Sequence, residues 1–296
     1  MSFSSLQVVR QLSVDAAENN EGIFLVRDQA NNRLLIEKRF KLFDIWNGFA
    51  QREIDILFQL RGHRNITSIE GYYLHDGTPD DTKGSVWLEY CDQGTLEDSI
   101  NQHDDEDRKI PEPCIWYVFL QLAEAVRYCQ MGPFNAPCPQ WDTIFHLDLN
   151  PSNVLLEGEV EHRFGKFPRV LLADFGCSMR LSTQMENARL LEENPEADVP
   201  LPFTCDWQNA EYSPPETPSF NLRSDIYQIG LVIYCMIVTD SAISPNTDLV
   251  QGLWSEGDVY TAPLLRLVNA CLENEPARRP DIIQLIQMIV SQGPNA

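Results

Sequence analysis

The sequence predicts an α+β fold with two lobes: a small, mainly antiparallel β lobe with one helix over about residues 1–90, and a larger, mainly α lobe over about residues 91–296. Short apolar runs separated by polar turns dominate the first part of the chain, whereas apolar residues recur at helical spacing in the remainder. A chain of 296 residues with 43% apolar content is also long enough to bury the core that such a fold requires.

The first lobe is predicted to begin with a β-hairpin. Residues 23–26 and 34–38 are apolar runs joined by a polar turn. A helix over 47–60 follows, because its apolar residues recur at helical spacing and an Arg-Gly-His stretch ends it. Two more strands are predicted at 66–73 and 85–90.

The second lobe is predicted to be mainly helical. Residues 94–96 form a loop that leads into a helix, and 115–128 carries its apolar residues on one helical face. Residues 226–238 are apolar on nearly every side, which predicts a helix buried in the middle of the lobe. The last helices are predicted at 264–272 and 282–290.

Charge limits the classes of partner. The chain has 22 Lys and Arg against 44 Asp and Glu, which gives a net charge of −22. Such a surface repels nucleic-acid backbones and anionic lipid headgroups, so we expect neither as a partner. Two interpretations remain open: the charge serves solubility alone, or it attracts a basic protein substrate or partner.

The cysteines and the N-terminus bear on location. Eight cysteines are scattered without a C-x-x-C pair, so we expect free thiols. Residues 1–5 have neither a basic region nor an apolar core of a signal peptide, and no apolar run approaches the roughly 18 residues of a membrane span. We therefore expect a cytoplasmic protein, with the nucleus as the alternative; the sequence predicts no oligomeric state.

The most informative segments are FHLDLNPSNVLL over 145–156 and LADFG over 172–176. Their order and spacing resemble the catalytic loop, H-R-D-x-x-x-x-N, and the D-F-G motif of the eukaryotic protein kinases. The resemblance implies that Asp148 orients the attacking hydroxyl, and that Asn153 and Asp174 hold Mg²⁺ through hard oxygen ligands.

Upstream residues extend the resemblance. Lys38 at the end of a strand and Glu53 in the next helix match the family's pair of a lysine and a glutamate, which holds the α- and β-phosphates of ATP. The resemblance therefore implies three catalytic residues: Asp148, Lys38 and Glu53. By alignment with the family, the other nucleotide-binding residues are Ile23, Ile36, Leu88, Glu89, Cys91 and Leu155.

Residues downstream of the Asp-Phe-Gly segment also resemble the protein kinases. Tyr-Ser-Pro-Pro-Glu over 212–216 is similar to the family's A-P-E element, and 225–230 is similar to the buried helix after it. The family pairs this glutamate with a later arginine, so we predict an ion pair between Glu216 and Arg279. Removing one partner of such a buried pair typically costs about 3 to 5 kcal/mol.

The resemblance implies one bilobal protein-kinase-like domain over 1–296. The implied function is transfer of the γ-phosphoryl of Mg-bound ATP to a protein hydroxyl, most simply that of Ser or Thr. The first alternative is a pseudokinase, a scaffold or allosteric binding module with weak or no transfer. The second is a small-molecule phosphotransferase of the aminoglycoside or choline kinase type, against which the Pro-Pro-Glu element argues.

Several positions depart from the family's pattern. The glycine-rich loop falls on Ala16, Glu18 and Glu21, and only Gly22 remains, one place out of register. We expect weaker nucleotide binding, because glycines let the backbone approach phosphate closely. Asn150 replaces a lysine that neutralises the transferring group, which predicts a loss of roughly 10² to 10³ in rate.

Other departures concern the pocket and its control. Ile36 replaces a small residue against adenine and narrows the pocket. Leu147 replaces the arginine that receives a phosphorylated activation loop, so we predict that phosphorylation at Ser182 or Thr204 does not switch activity on. Asn209 replaces a threonine usual in Ser/Thr kinases, which leaves the type of acceptor residue open.

Overall fold

The chain divides into two compact units, one up to Cys91 and one from Asp92 onward. The computed structural model describes residues 6–12, 21–75, 77, 83–134, 140–194, 196, 209–243 and 248–294. The first unit is mainly antiparallel sheet and the second is mainly helical. The predicted α+β, two-lobed fold class is therefore confirmed. Ala16, Glu18 and Thr204 lie outside the described residues.

The described residues of the first unit form an antiparallel sheet and two helices. The described strands lie in the order β1-β2-β3-β5-β4. The bounds are β1 Leu6–Gln11, β2 Gly22–Asp28, β3 Leu34–Arg39, α1 Leu42–Trp46, α2 Phe49–Leu60, β4 Ile69–His75 and β5 Lys83–Glu89. The predicted hairpin, helix and two later strands are all present. β1 and α1 were not predicted.

The register of β2, β3 and β5 defines two faces of this sheet. Ile23 pairs with Lys38, and Ile36 pairs with Leu88. Because side chains alternate along a strand and directly opposed residues share a face, these four residues lie on one face. The other face carries a buried cluster of Val26, Leu35 and Trp87, with Leu6 and Phe24 packed against it.

Helix α2 follows a turn that needs glycine. Gly48 has φ +74°, a left-handed conformation that costs glycine nothing. The helix then buries Ile54, Leu57 and Leu60, and on its buried side it also carries the carboxylate of Glu53. The apolar residues Ile54, Leu57 and Leu60 follow one another at intervals of three, which is part of the pattern that predicted the helix.

The second unit contains most of the described helices. Their bounds are α3 Leu96–Asp105, α4 Glu112–Met131, α5 Leu181–Glu193, α6 Ser224–Val238, α7 Leu249–Ser255, α8 Ala262–Cys271 and α9 Ile282–Gln292. Helix α6 is buried from Ser224 to Ile237, as its apolar sequence predicted. Within the described ranges, no helix is both long enough and apolar enough to cross a lipid bilayer.

The second unit also contains strands that the sequence did not predict. β7 Val154–His162 and β8 Gly165–Leu172 form an antiparallel hairpin. A shorter pair is formed by β6 Ile144–Phe145 and β9 Met179–Arg180. The two pairs flank the catalytic loop, so they fix where its side chains project.

Candidate active site

The first unit holds a buried ion pair. Lys38 Nζ donates to both carboxylate oxygens of Glu53, at 2.8 and 3.0 Å. Both side chains are almost fully buried, with 6% and 5% exposed. Charges removed from water persist only where they are paired, so Glu53 holds the Lys38 ammonium group in place. Lys38 pairs with Ile23, so the two residues lie at the same end of the sheet face.

The residues assigned to nucleotide binding are divided between the units. Ile23, Ile36 and Leu88 share the sheet face of Lys38. Glu89 projects to the other face, where its Oε1 accepts from the Ser68 backbone N–H at 2.6 Å. Cys91 ends the first unit and is buried, whereas Leu155 lies on β7 in the second unit.

Helix α6 holds the catalytic loop through hydrogen bonds between two of its polar side chains and the backbone of the loop. The backbone N–H groups of His146 and Leu147 donate to the two carboxylate oxygens of Asp225, at 3.3 and 3.1 Å. Gln228 Nε2 donates to the Leu147 carbonyl at 3.1 Å. Leu147 has φ +68°, an unfavourable conformation for leucine that persists only where surrounding contacts impose it. Asp225 and Gln228 provide those contacts.

His146 is a neutral, structural member of the loop. Burial lowers the pKa of His146 to about 4. Its Nε2 lies 3.0 Å from the Ala173 carbonyl, so this nitrogen carries the proton, and its Nδ1 accepts from the Asp148 N–H at 3.3 Å. The ring also contacts Phe175 edge to face, with centroids 4.9 Å apart. The histidine thus joins the catalytic loop to the Asp-Phe-Gly segment.

Asp148 has a donor on each carboxylate oxygen. Asn153 Nδ2 donates to Oδ2 at 2.8 Å, and the Asn209 backbone N–H donates to Oδ1 at 3.0 Å. Burial raises the pKa of Asp148 to about 6 against the lowering effect of the Asn209 N–H, and the neighbouring Asp174 carboxylate raises it further. The result is a carboxylate that is held in a fixed orientation and whose pKa is raised well above the ordinary value of an aspartate.

The β7–β8 hairpin sets the positions of Asn153 and Asp174. Val154 pairs with Leu172, and the Ala173 N–H donates to the Asn153 carbonyl at 2.9 Å. The two candidate metal ligands therefore leave the same end of the hairpin. Asp174 has φ +58°, and its Oδ1 accepts from the Gly176 N–H at 3.1 Å.

These side chains fit a magnesium ion by their chemistry. Asn153 uses Nδ2 to reach Asp148, which leaves its amide oxygen to act as a ligand. Mg²⁺ prefers such hard oxygen donors and commonly takes only one or two from protein, keeping water and phosphate oxygens as the others. An amide oxygen and the Asp174 carboxylate meet that requirement.

Asn150 has a structural role in the loop. The residue is buried, with 3% of its surface exposed. Its Nδ2 donates to the Asp148 carbonyl at 3.1 Å, and its Oδ1 accepts from both the N–H and the hydroxyl of Ser152. The amide therefore supports the loop around Asp148 and supplies no charge in place of the family's lysine.

A second ion pair anchors the Pro-Pro-Glu element, as predicted. The Arg279 guanidinium donates to both oxygens of Glu216, each at 2.7 Å. Its other N–H groups donate to backbone carbonyls, including that of Glu273 at 2.7 Å. The Arg279 side chain is fully buried and that of Glu216 is 12% exposed, so the pair lies at the edge of the unit's core.

Sequence reasoning missed Asp225 and Gln228 as supports of the catalytic loop. Both are fully buried on a helix whose other described residues are largely apolar. Buried polar side chains need hydrogen-bond partners, so their presence on such a helix was a usable signal. These two residues indicated that a backbone segment near α6 needs hydrogen-bond partners, although they did not identify the segment.

An antiparallel sheet unit with a buried Lys–Glu pair, followed by a helical unit with a fixed Asp–Asn loop, defines a protein-kinase-like domain. The comparison with protein families agrees. The model of the protein kinase domain matches residues 22–290. The chain therefore belongs to the protein kinase family, a family of enzymes.

Several curated proteins are similar to this chain. Serine/threonine-protein kinase Nek9 of Xenopus laevis is 28% identical over 250 residues, covering 80% of this chain and 22% of its own length. G2-specific protein kinase nim-1 of Neurospora crassa is 27% identical over 293 residues, covering 89% and 31%. G2-specific protein kinase nimA of Emericella nidulans is 28% identical over 264 residues, covering 79% and 33%. The chain spans about a fifth to a third of these relatives.

Proposed function

We propose that this chain is an ATP-dependent protein kinase that transfers the γ-phosphoryl group of Mg-bound ATP to a Ser or Thr hydroxyl of a protein. The observation that carries the proposal is the environment of Asp148, whose two oxygens are fixed by Asn153 and Asn209. Phosphoryl transfer relies on positioning and charge stabilisation more than on covalent chemistry, so a fixed carboxylate is the central requirement.

Each charged residue has a defined role in this proposal. Asp148 accepts a hydrogen bond from the substrate hydroxyl, orients it and takes its proton as transfer proceeds. Lys38, held by Glu53, binds the α- and β-phosphates. Asn153 and Asp174 hold Mg²⁺, which when bound neutralises charge on the phosphate oxygens. Ile23, Ile36 and Leu88 would provide an apolar surface for adenine.

Ser and Thr are the proposed acceptors because similar proteins carry the words serine/threonine-protein kinase in their names. The net charge of −22 favours acceptors with basic residues near the hydroxyl, through steering. A cytoplasmic or nuclear setting, favoured by cysteines that include free thiols, belongs to the same proposal.

A pseudokinase is the second candidate, and Asn150 favours it. The amide is buried and bonded within the loop, so it does not replace the lysine charge. A chain that lacks this charge and most of the family's glycines would bind a partner through its folded surface and transfer phosphate slowly or not at all.

A phosphoryl-transfer assay tests the proposal. The purified chain is incubated with γ-labelled ATP and Mg²⁺ or Mn²⁺, and incorporation of label is measured separately for basic, acidic and tyrosine-containing acceptors. We expect Asp148→Ala and Asp174→Ala each to reduce incorporation by about 10² or more. Asp105→Asn, at an exposed position on α3, is the matched control and should change incorporation by less than about twofold.

The outcomes separate the alternatives. Incorporation that survives both active-site substitutions indicates a contaminating kinase and contradicts the proposal. A nucleotide-induced increase in melting temperature without transfer supports the pseudokinase. Transfer to an aminoglycoside and to no polypeptide supports a small-molecule phosphotransferase.

A further inference from the structure

An open groove lies in the second unit, beside helices α8 and α9 and the single helical turn Pro276–Arg278 between them. Its volume is about 640 Å³, which falls within the range of about 300 to 1,000 Å³ that ligand sites occupy. Three arginines line it, Arg223, Arg278 and Arg279, and within the described part of the chain no Asp or Glu does. The lining is therefore cationic, although the chain as a whole carries a net charge of −22.

Two of the three arginines are held in place by the protein. Arg279 is committed to its ion pair with Glu216, so it adds little to the charge that a ligand meets. Arg223 is half-buried, and its Nη1 donates to the carbonyls of Pro276 and Ala277, at 3.3 and 3.0 Å. Its Nε and Nη2 remain as donors, and this edge of a guanidinium binds a carboxylate through two parallel bonds. A side chain fixed in advance loses less entropy when such a ligand binds.

Arg278 is the second cation available to a ligand. It is exposed, and among the described residues its guanidinium has no ion pair. Of the acidic residues nearest in sequence, Asp281 is the N-cap of α9, where its Oδ1 accepts from the Gln284 N–H at 2.8 Å. The chain has 44 acidic and 22 basic residues, yet this cation is left for a carboxylate from another molecule.

Helix α9 adds neutral donors and an apolar contact to the groove. Gln284, Gln287 and Ser291 lie on one face of the helix, because they are spaced by three and four residues. The Gln284 Oε1 accepts from the Asp281 N–H at 2.9 Å, which leaves its Nε2 as the group that can donate. Met288 is half-buried and also lines the groove. Hydrogen-bond donors and an apolar surface are thus available to one ligand.

We propose that this groove docks an acidic segment of a partner protein. One carboxylate of the segment binds the free edge of Arg223, a second binds Arg278, and an apolar side chain packs against Met288. Bonds between a guanidinium and a carboxylate are stronger than bonds between neutral groups, so acidic side chains are preferred over amides. The groove is open to solvent, which suits a segment of a protein better than a small molecule that needs enclosure.

The net charge of the chain argues against longer polyanions. A nucleic acid carries a phosphate charge at every nucleotide and would be repelled by the whole chain. A short segment with two carboxylates meets mainly local charge, because at about 0.15 M salt charges more than about 8 Å apart are largely screened.

The docked segment is distinct from the acceptor of phosphoryl transfer. None of the described lining residues belongs to the catalytic loop or to the Asp-Phe-Gly segment. Binding at the groove therefore does not depend on the proposed function, and it can be measured without nucleotide.

Fluorescence anisotropy with labelled peptides tests the groove on the full chain, without ATP and at about 150 mM salt. The probes are short peptides in which two glutamates flank a leucine at varied spacing. Matched sets carry glutamine or phosphoserine in place of glutamate. We expect the best glutamate peptide to bind with a Kd on the order of 10 to 100 µM, and its glutamine counterpart to bind at least about tenfold more weakly.

Substitutions assign the binding to the groove. Arg278→Gln should raise the Kd about tenfold, because it removes a cation whose guanidinium makes no recorded bond within the chain. Gln287→Lys adds a cation at an exposed position of α9 and should lower the Kd several-fold. Arg61→Gln is the matched control. It removes the same charge from an exposed residue that does not line the groove, and it should change the Kd by less than about twofold.

Three results would overturn the proposal: failure of every glutamate peptide to bind, binding that Arg278→Gln leaves unchanged, and equal binding of the glutamine peptides. A phosphoserine peptide that binds at least about tenfold more tightly than its glutamate counterpart would overturn the class of ligand. Sedimentation of the chain examines self-association. A dimer that dissociates in Arg278→Gln would assign the groove to a second copy of the chain, against the proposed partner.

Discussion

At the scale of single residues, the site depends on how Asp148 is held. Its carboxylate is buried and lies near Asp174, yet it accepts two hydrogen bonds that keep its orientation fixed. The neighbouring Asn150 contributes only to the shape of the loop. The Asp148 carboxylate therefore keeps a fixed orientation, although Asn150 stands in place of the family's charged lysine.

The raised pKa predicts the pH dependence of the reaction. In the proposed reaction Asp148 must be ionised to accept the substrate proton, and its pKa is raised to about 6. We therefore expect kcat/KM to be highest above this pH and to fall about tenfold per unit below it, as protonation removes the reactive form. Initial rates between pH about 5 and about 8, with an acceptor that does not titrate there, give the profile.

Melting temperatures across the same range serve as the control, because unfolding in acid would also lower the rate. A flat profile down to pH about 5, with the fold intact, would show that Asp148 does not take part in its ionised form.

At the scale of elements, the Arg279–Glu216 pair connects the Pro-Pro-Glu segment to the turn before α9. We expect Arg279→Met to lower the free energy of unfolding by about 3 to 5 kcal/mol, because Glu216 would remain largely buried without its partner. Arg278→Met removes the same charge from the adjacent, exposed position and should change stability by less than about 0.5 kcal/mol. Urea denaturation followed by tryptophan fluorescence provides the comparison.

Equal effects of the two substitutions would contradict this role. A change of less than about 1 kcal/mol for Arg279→Met would show that Glu216 does not depend on the guanidinium for its burial.

The sequence predicted elements wherever burial imposed a clear periodicity. Helices α2 and α6 and the β2–β3 hairpin each carry an apolar pattern that a single secondary structure explains. β1 is almost entirely exposed, so no alternation marks it. The β7–β8 hairpin was obscured because its first residues belong to the catalytic motif.

The candidate site was predicted unevenly for a related reason. Asp148, Asn153 and Asp174 occur in two motifs with fixed spacing, so local sequence pointed to them as candidates. Lys38 was assigned from its place at the end of a strand, before a helix that carries Glu53. The supports at Asp225 and Gln228 contact the loop across long sequence separations, and a local pattern contains no information about such contacts. Leu147 was identified as a departure, but its packing with Met179 and Phe220 was not predicted.

At the scale of the whole molecule, the excess of acidic residues should govern encounter with substrate. For a peptide acceptor rich in Lys or Arg, we expect kcat/KM to fall about tenfold between about 50 mM and about 500 mM salt, because ions screen the field of a chain with net charge −22. An uncharged acceptor with the same hydroxyl should change by less than about twofold. Preference for an acidic acceptor at low salt would contradict the proposed substrate class.

In the proposed kinase, side chains from distant parts of the sequence act on one bound nucleotide. Calorimetric titration with Mg-bound ATP measures this most directly, using the unmodified chain, Lys38→Met, Asp174→Asn and, as a control, the exposed Lys166→Met. We predict one site per chain, and affinity at least about tenfold weaker in each of the first two variants but unchanged in the control. Absence of binding to the unmodified chain, or unaltered affinity in both Lys38→Met and Asp174→Asn, would contradict the proposed nucleotide site.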